Sequence, residues 1–302
     1  MADEPYIPEE HTGLGPSAKV YRAHDHLGNR VVRLKVLLTD HESRFALDRE
    51  HLTQRMAVLV QIHHPLVARL VELDVQEQDM TLVSEFGEGI DGWKLIRHQP
   101  LTEAHLRTLA AQLVTALQAG EALNLPHGDL KPSNLIIENH PLYGLRLKLQ
   151  DWGVAQSRHG QPRETLWFRA PELGPEDEPT ARSDLFSAAA TLVALITGQV
   201  LGEGDLAGPE PAGWAAFDAL RLRSVRPDID PALLDWLARL LHRDPAQRPD
   251  SATQALAALQ RSAEPAAQHP WGVAALILVY NLAVLAMLIG YLWWLLAGGH
   301  SG

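Results

Sequence analysis

His127-Gly128-Asp129-Leu130-Lys131-Pro132-Ser133-Asn134 is the stretch on which the reading of this 302-residue chain turns. It sets out a carboxylate, an ammonium two residues later and a side-chain amide three further on, in a turn followed by the apolar run Leu135, Ile136, Ile137. Carboxylate oxygens accept hydrogen bonds, an ammonium only donates, and carboxylate and amide oxygens are hard ligands. Such a turn can therefore place a hydroxyl, a phosphate and a metal ion together.

Working outward, 46% hydrophobic and 21% charged residues form an ordinary globular composition, long enough for one large domain or two small ones. A net charge of -11 argues against a phosphate-backbone binder, so no nucleic acid is expected as a partner. With no cysteine there are no disulfides, thiolate metal sites or cysteine nucleophiles, which fits a reducing compartment. Met1 to Glu10 is acidic and polar, without the basic and apolar regions of a secretory signal.

The far end has another character. Trp271 to Gly299 carries no charge, and Val273 to Ala297 is apolar except at Asn281 and Gly290. As a helix that stretch reaches roughly 37 Å, against a bilayer core of about 30 Å. It reads as a transmembrane helix over 271–297, after a linker over 263–270 and before a short tail over 298–302. Trp271 at one end and Tyr291, Trp293 and Trp294 at the other suit the two headgroup zones. Ala286 and Gly290 form a small-xxx-small pair through which two copies could associate as a homodimer.

The opening stretch resembles the catalytic loop of protein kinases, His-Arg-Asp-Leu-Lys-Pro-x-Asn, with Gly128 in place of arginine. Further signatures follow in family order. Gly13-Leu14-Gly15 with Val20 resembles the glycine-rich loop, where bare backbone approaches phosphates, and Ala18 stands at its third glycine. Val31 to Leu38 reads as a central strand carrying Lys35, the phosphate-binding lysine by resemblance. Period two puts Arg33 on the same face, where the family has a small alanine covering the adenine. Arg44 to Gln61 reads as a helix with Leu52, Met56 and Leu59 on one face; the family's glutamate position on it is Arg55. Glu50 lies about 140° around the helix from there, so either the helix is shifted to bring it to Lys35 or that ion pair is absent.

Leu82 to Gly87 resembles the last small-lobe strand and hinge. Ser84 is its gatekeeper, and the Glu85 carbonyl and Gly87 amide would meet the adenine edge. Thr102 can cap a helix with Leu106, Leu109, Leu113 and Leu117 on its apolar face. Asp151-Trp152-Gly153 resembles Asp-Phe-Gly, its aromatic expected to pack beneath the helix that carries Arg55, and Thr165 to Glu172 ends in the family's Ala-Pro-Glu. Asp184 begins an apolar helix to Thr197, and Arg248 matches the arginine that pairs with Glu172.

The resemblance spans roughly Tyr6 to Arg261 and implies an α+β, bilobal protein kinase fold, with an N-lobe over 1–86 and a C-lobe over 87–262. It implies a bacterial-type (Hanks-type) serine/threonine kinase using ATP and Mg²⁺, or Mn²⁺ in its place. Asp129 and Lys131 are then catalytic. Gly13, Leu14, Gly15, Val20, Lys35, Glu85, Gly87 and Ile136 bind nucleotide, and Asn134 and Asp151 hold the metal. Protein Ser/Thr hydroxyls are the implied substrates. With the apolar segment, the expectation is a single-pass protein of a bacterial inner membrane, its kinase domain cytoplasmic and its C-terminus across the bilayer. Arg33 and Arg55 carry the alternative, a membrane-tethered pseudokinase acting as a scaffold.

Overall fold

The structure, a computed structural model, describes residues 5–14, 18–37, 48–76, 80–98, 101–140, 144–154, 163–174, 177–198, 219–263 and 287. The chain divides into two units, Met1–Leu259 and Gln260–Gly302, and the bilobal fold lies in the first.

In the N-lobe, β1 (Tyr6–Leu14), β2 (Ala18–Asp25), β3 (Arg30–Leu37), β4 (Leu70–Val75) and β5 (Met80–Glu85) form one antiparallel sheet in the order β1-β2-β3-β5-β4. Its two faces follow from alternation. Val32 and Leu34 pack with Ala23 and Val83 on one side, which turns Arg33, Lys35 and Leu37 to the other. Register places Val20 opposite Lys35, and Ser84 opposite Arg33. The helix expected from Arg44 begins later, as α1 (Arg49–Leu59): Asp48 has extended backbone, and its carboxylate accepts the His51 amide at 2.8 Å, a side-chain cap. Leu52, Met56 and Leu59 are its buried face, as their spacing foretells.

The C-lobe surrounds a helical core. A small sheet of β6 (Ile90–Asp91), β7 (Leu135–His140) and β8 (Gly144–Leu149), in that order, sits beside α2 (Gly92–His98). Thr102 caps α3 (Glu103–Glu121), accepting from the His105 amide, and Leu106, Leu109, Leu113 and Leu117 are all buried. After the short α4 (Arg163–Leu166), α5 (Ala181–Thr197) is the innermost helix, its residues Ser183 to Ile196 buried on every side. A helix apolar all round must sit in the middle of the core, and each fully buried leucine contributes about 1.5–3 kcal/mol relative to exposure. Thr180 caps it, so it begins at Ala181, three residues ahead of the expected start at Asp184, and it stops at Gly198. Ser251 Oγ accepts the Gln254 amide at 3.1 Å and so caps the last described helix, Ala252–Ala263.

The membrane placement read from the sequence is corrected here. No helix among the described residues is long and apolar enough to cross a membrane. The longest of them, α3, is apolar along one stripe only and carries Glu103, Arg107 and Glu121. Residues 271–297, with the Ala286 and Gly290 pair, lie outside the described residues apart from Met287.

Candidate active site

The catalytic loop is held from below by one buried carboxylate. Asp184, in the first turn of α5, accepts the backbone amides of His127 at 2.6 Å and Gly128 at 2.9 Å. Gly128 has φ 76°, a left-handed conformation that glycine takes without cost and that turns its amide toward Asp184. Burial pushes the Asp184 carboxyl up to about 7, against the pull of those two amides. His127 is fully buried, and burial lowers its imidazole to about 4, so the ring is neutral. Its Nδ1 accepts the Asp129 amide at 3.2 Å, which leaves the proton on Nε2, donated to the Gln150 carbonyl at 3.0 Å.

A 3-10 turn, Pro132–Asn134, brings the loop's side chains back onto Asp129. Asn134 Nδ2 donates to the Asp129 carbonyl at 2.7 Å and to its Oδ2 at 3.2 Å. Lys131 Nζ reaches the same Oδ2 at 3.0 Å and the Thr165 hydroxyl at 2.9 Å. Asp129 Oδ1 is buried and has no hydrogen-bond partner among the described residues. An unpaired buried carboxylate oxygen costs free energy, about 1–3 kcal/mol or more, so such a group calls for a donor supplied from elsewhere.

The opposite wall is built from β3. Arg33 holds Asp151 with two bonds, Nη1 to Oδ1 at 2.7 Å and Nη2 to Oδ2 at 3.0 Å, and Lys35 Nζ reaches Oδ2 at 2.9 Å. All three side chains are largely buried. Burial acts to raise the Asp151 carboxyl, but the charges of Arg33 and Lys35 hold it well below the usual carboxylate range. Burial lowers the Lys35 ammonium, against the attraction of Asp151. Asp151 itself sits at φ 63°, a conformation worth roughly 1–2 kcal/mol of strain in a residue with a side chain. The small Ser84 beside Arg33 leaves room for the guanidinium to cross to Asp151; Arg33, Ser84, Met56, Leu59, Asp151 and Trp152 line one pocket there.

No glutamate of α1 reaches Lys35. Glu50 is exposed and accepts from Gln54, and Arg55 turns toward the C-lobe, donating to the Pro126 carbonyl at 3.3 Å and standing 3.6 Å from Glu178. Of the two arrangements left open by the sequence, the absent ion pair is therefore found. Trp152 packs into the core beside α1 and donates its indole N–H to Leu125 at 3.1 Å. At the hinge, Gly87 lies so close to Ile136 that a Cβ would come within 3.0 Å of its side chain. Glu85 pairs through its carboxylate with Lys148, and its amide donates to Arg69. Gly13 faces Val20 at the end of β1, Leu14 faces Lys19, and Gly15 lies outside the described residues. Arg248 grips Glu172 at 2.6 and 2.7 Å beneath these elements.

This arrangement has known counterparts. The protein kinase domain family matches residues 6–271. The chain belongs to that family. Among curated relatives, mouse serine/threonine-protein kinase ULK3 is 30% identical over 261 residues, covering 80% of this chain and 52% of its own length. Serine/threonine-protein kinase pkn2 of Myxococcus xanthus is 27% identical and is covered to 31%. The kinase domain of Mycobacterium tuberculosis PknI superposes with a TM-score of 0.68 at 22% identity, covering 85% of this chain and 95% of that one, a likeness of fold. The chain is thus a protein kinase domain, spanning about half the length of the ULK3 proteins that it matches.

Within this kinase domain Asp129, Lys131 and Asn134 come together as a hydrogen-bonded set, and Lys35 joins Asp151 across the cleft. Arg33 is the functional-site residue whose part the sequence left undecided. Period two put it on the cleft face, but nothing in the order of residues pointed to Asp151, 118 positions away. As arranged, the site does not fit a divalent cation: both oxygens of Asp151 are committed to Arg33, with Lys35 on one of them. Among the described residues, no group of three His, Cys, Asp or Glu is placed to hold a metal.

Proposed function

We propose that this site transfers the γ-phosphoryl group of ATP to serine or threonine hydroxyls of protein substrates. The observation that carries the reading is Asp129 Oδ1, buried and without a donor, on the loop where the family places its substrate-orienting carboxylate. The substrate O–H donates to Oδ1, the hydroxyl oxygen bonds to the γ-phosphorus, the bond to the β-phosphate oxygen breaks, and the proton passes to Asp129 as ADP departs. Lys131 stands beside Asp129 and balances charge on the transferring phosphoryl group, with Lys35 toward the other phosphates. The Glu85 carbonyl and Gly87 amide meet the adenine edge, with Ile136 and Val20 as the apolar lining and Gly13, Leu14 and Gly15 closing over the phosphates. Asn134 and Asp151 occupy the family's positions for Mg²⁺ or Mn²⁺. Because Asp151 is already bound by two cations, no step is assigned to a metal here.

Gly128 removes the guanidinium that would clamp a phosphate on the activation segment, so activity is independent of phosphorylation there. Thr165 belongs instead to the substrate side, its buried hydroxyl accepting from Lys131. Ser157 lies outside the described residues. The cation-bound state of Asp151 favours one second reading, a pseudokinase that binds nucleotide or protein without transfer. The two are separated by incubating the full chain with ATP, a divalent cation and a generic Ser/Thr protein substrate, beside Asp129→Asn. Phosphate on serine or threonine from the wild type alone supports the kinase; no transfer above the variant leaves the pseudokinase.

A further inference from the structure

We infer that the Arg33 guanidinium stands in for a divalent cation at Asp151, so that this cleft binds the polyphosphate of a nucleotide without requiring a metal. The inference deepens the proposed function and rests on its nucleotide site.

The argument is one of charge and geometry. A carboxylate offered to a divalent cation must present its oxygens to the metal. Here Oδ1 and Oδ2 each take one arm of the Arg33 fork, at 2.7 and 3.0 Å, and Oδ2 also takes Lys35 at 2.9 Å. A planar guanidinium matches a carboxylate bidentately, and unlike a metal or an ammonium it neither dissociates nor loses its charge near neutral pH. A metal entering this site would have to displace Arg33 and leave its guanidinium, on a side chain 11% exposed, without its partner in the protein interior.

The balance of charge makes the metal dispensable for binding. Two cations face one carboxylate on this wall, leaving one net positive charge, while on the other wall Lys131 and Asp129 offset each other. A divalent ion ordinarily screens a tetra-anionic nucleotide from the acidic groups that would repel it. This cleft already carries that positive charge on β3, on the face that Lys35 turns toward the phosphates. The position also joins two observations: an arginine where the family has a small alanine, and a small Ser84 directly opposite it in the sheet, giving the guanidinium its passage.

The test is equilibrium binding of ATP to the full chain, by calorimetry or displacement of a fluorescent ATP analogue, in EDTA and in Mg²⁺. Alongside it, Mn²⁺ binding is followed by electron paramagnetic resonance with a non-hydrolysable ATP analogue present. The wild type is expected to bind ATP with a Kd in EDTA within about threefold of that in Mg²⁺, and to leave Mn²⁺ in excess of that carried by free nucleotide unbound. Arg33→Ala, and Arg33→Gln as a variant of closer size, are expected to lose at least about tenfold in EDTA and recover it with Mg²⁺. Wild-type binding that needs the cation overturns the inference and leaves the kinase reading standing. Binding in neither buffer overturns both. Variants as indifferent to the cation as the wild type overturn the assignment to Arg33. The wild-type measurements decide even if both variants fail to fold.

Discussion

On the C-lobe wall of the cleft, Asp129, Lys131 and Asn134 hold one another within six residues of chain, braced by hydrogen bonds from two backbone amides to Asp184. On the N-lobe wall, Lys35 meets Asp151 in place of a glutamate, in company with Arg33, and the bonds span 116 and 118 residues. The first wall follows the family's pattern at every side chain except Gly128. The second follows it at Lys35 and departs at Arg33 and Arg55. Local chemistry is kept where a phosphoryl group would react, and the variation falls where the nucleotide and its counter-ion would be held. One family fold can therefore keep its catalytic loop while changing the cation on which it depends.

The comparison breaks most visibly at Asp129. Asp129→Asn is expected to cut phosphotransfer by about two to four orders of magnitude while leaving thermal unfolding nearly unchanged; a smaller loss of rate would deny the C-lobe wall its catalytic part. Next comes the framework under that wall. Arg248 is buried, bonded twice to Glu172 and stacked 4.8 Å from the Phe186 ring. Removing the carboxylate leaves that buried guanidinium without its charge partner, so Glu172→Ala should cost about 3–5 kcal/mol in urea unfolding.

A pH titration sharpens the same wall. The imidazole of His127 is held below its unfolded value, so its contribution to stability is present above about pH 6.5 and is lost as pH falls toward 4. Asp184 acts in the opposite sense: its carboxyl is raised to about 7, and its contribution is present at low pH and lost as pH rises from the ordinary carboxylate range toward 7. The two oppose each other in the wild type, so the useful quantity is the difference in unfolding free energy between wild type and His127→Gln. That difference should shrink by roughly 2–3 kcal/mol between pH 7.5 and 4.5. A flat difference would mean that His127 is not held neutral.

The smallest effect belongs to the N-lobe wall. Arg55 has one long bond to a carbonyl and an ion pair at 3.6 Å with an exposed glutamate. Arg55→Leu is expected to cost about 1 kcal/mol or less, because a solvent-screened pair contributes little. A loss above about 2 kcal/mol would show that Arg55 anchors α1 to the C-lobe far more firmly than its geometry implies.

Elements that rest on short-range chemistry were legible from the order of residues. Thr102 caps α3, Leu106 to Leu117 form its buried face, and Arg248 meets Glu172 as the family pattern implies. Boundaries shifted where a competing cap stood nearby, as Asp48 does for α1 and Thr180 for α5. The apolar run near the end, where hydropathy supports a span, lies outside the described residues apart from Met287, and no helix among the described residues is long and apolar enough to cross a membrane.

What the sequence determined by itself is the catalytic loop, the alternation that turns Arg33 and Lys35 to one face and, through the resemblance of its motifs to those of protein kinases, the fold. Periodicity and capping act over a few residues, and linear order records them. What only the tertiary structure decided is the destination of the charges. Lys35 and Arg33 converge on Asp151, and Arg55 leaves for the C-lobe, because closing the two lobes brings the end of β8 beneath β3. A long cationic side chain takes whichever acceptor the packed lobes bring within its reach, and sequence distance carries no trace of that choice.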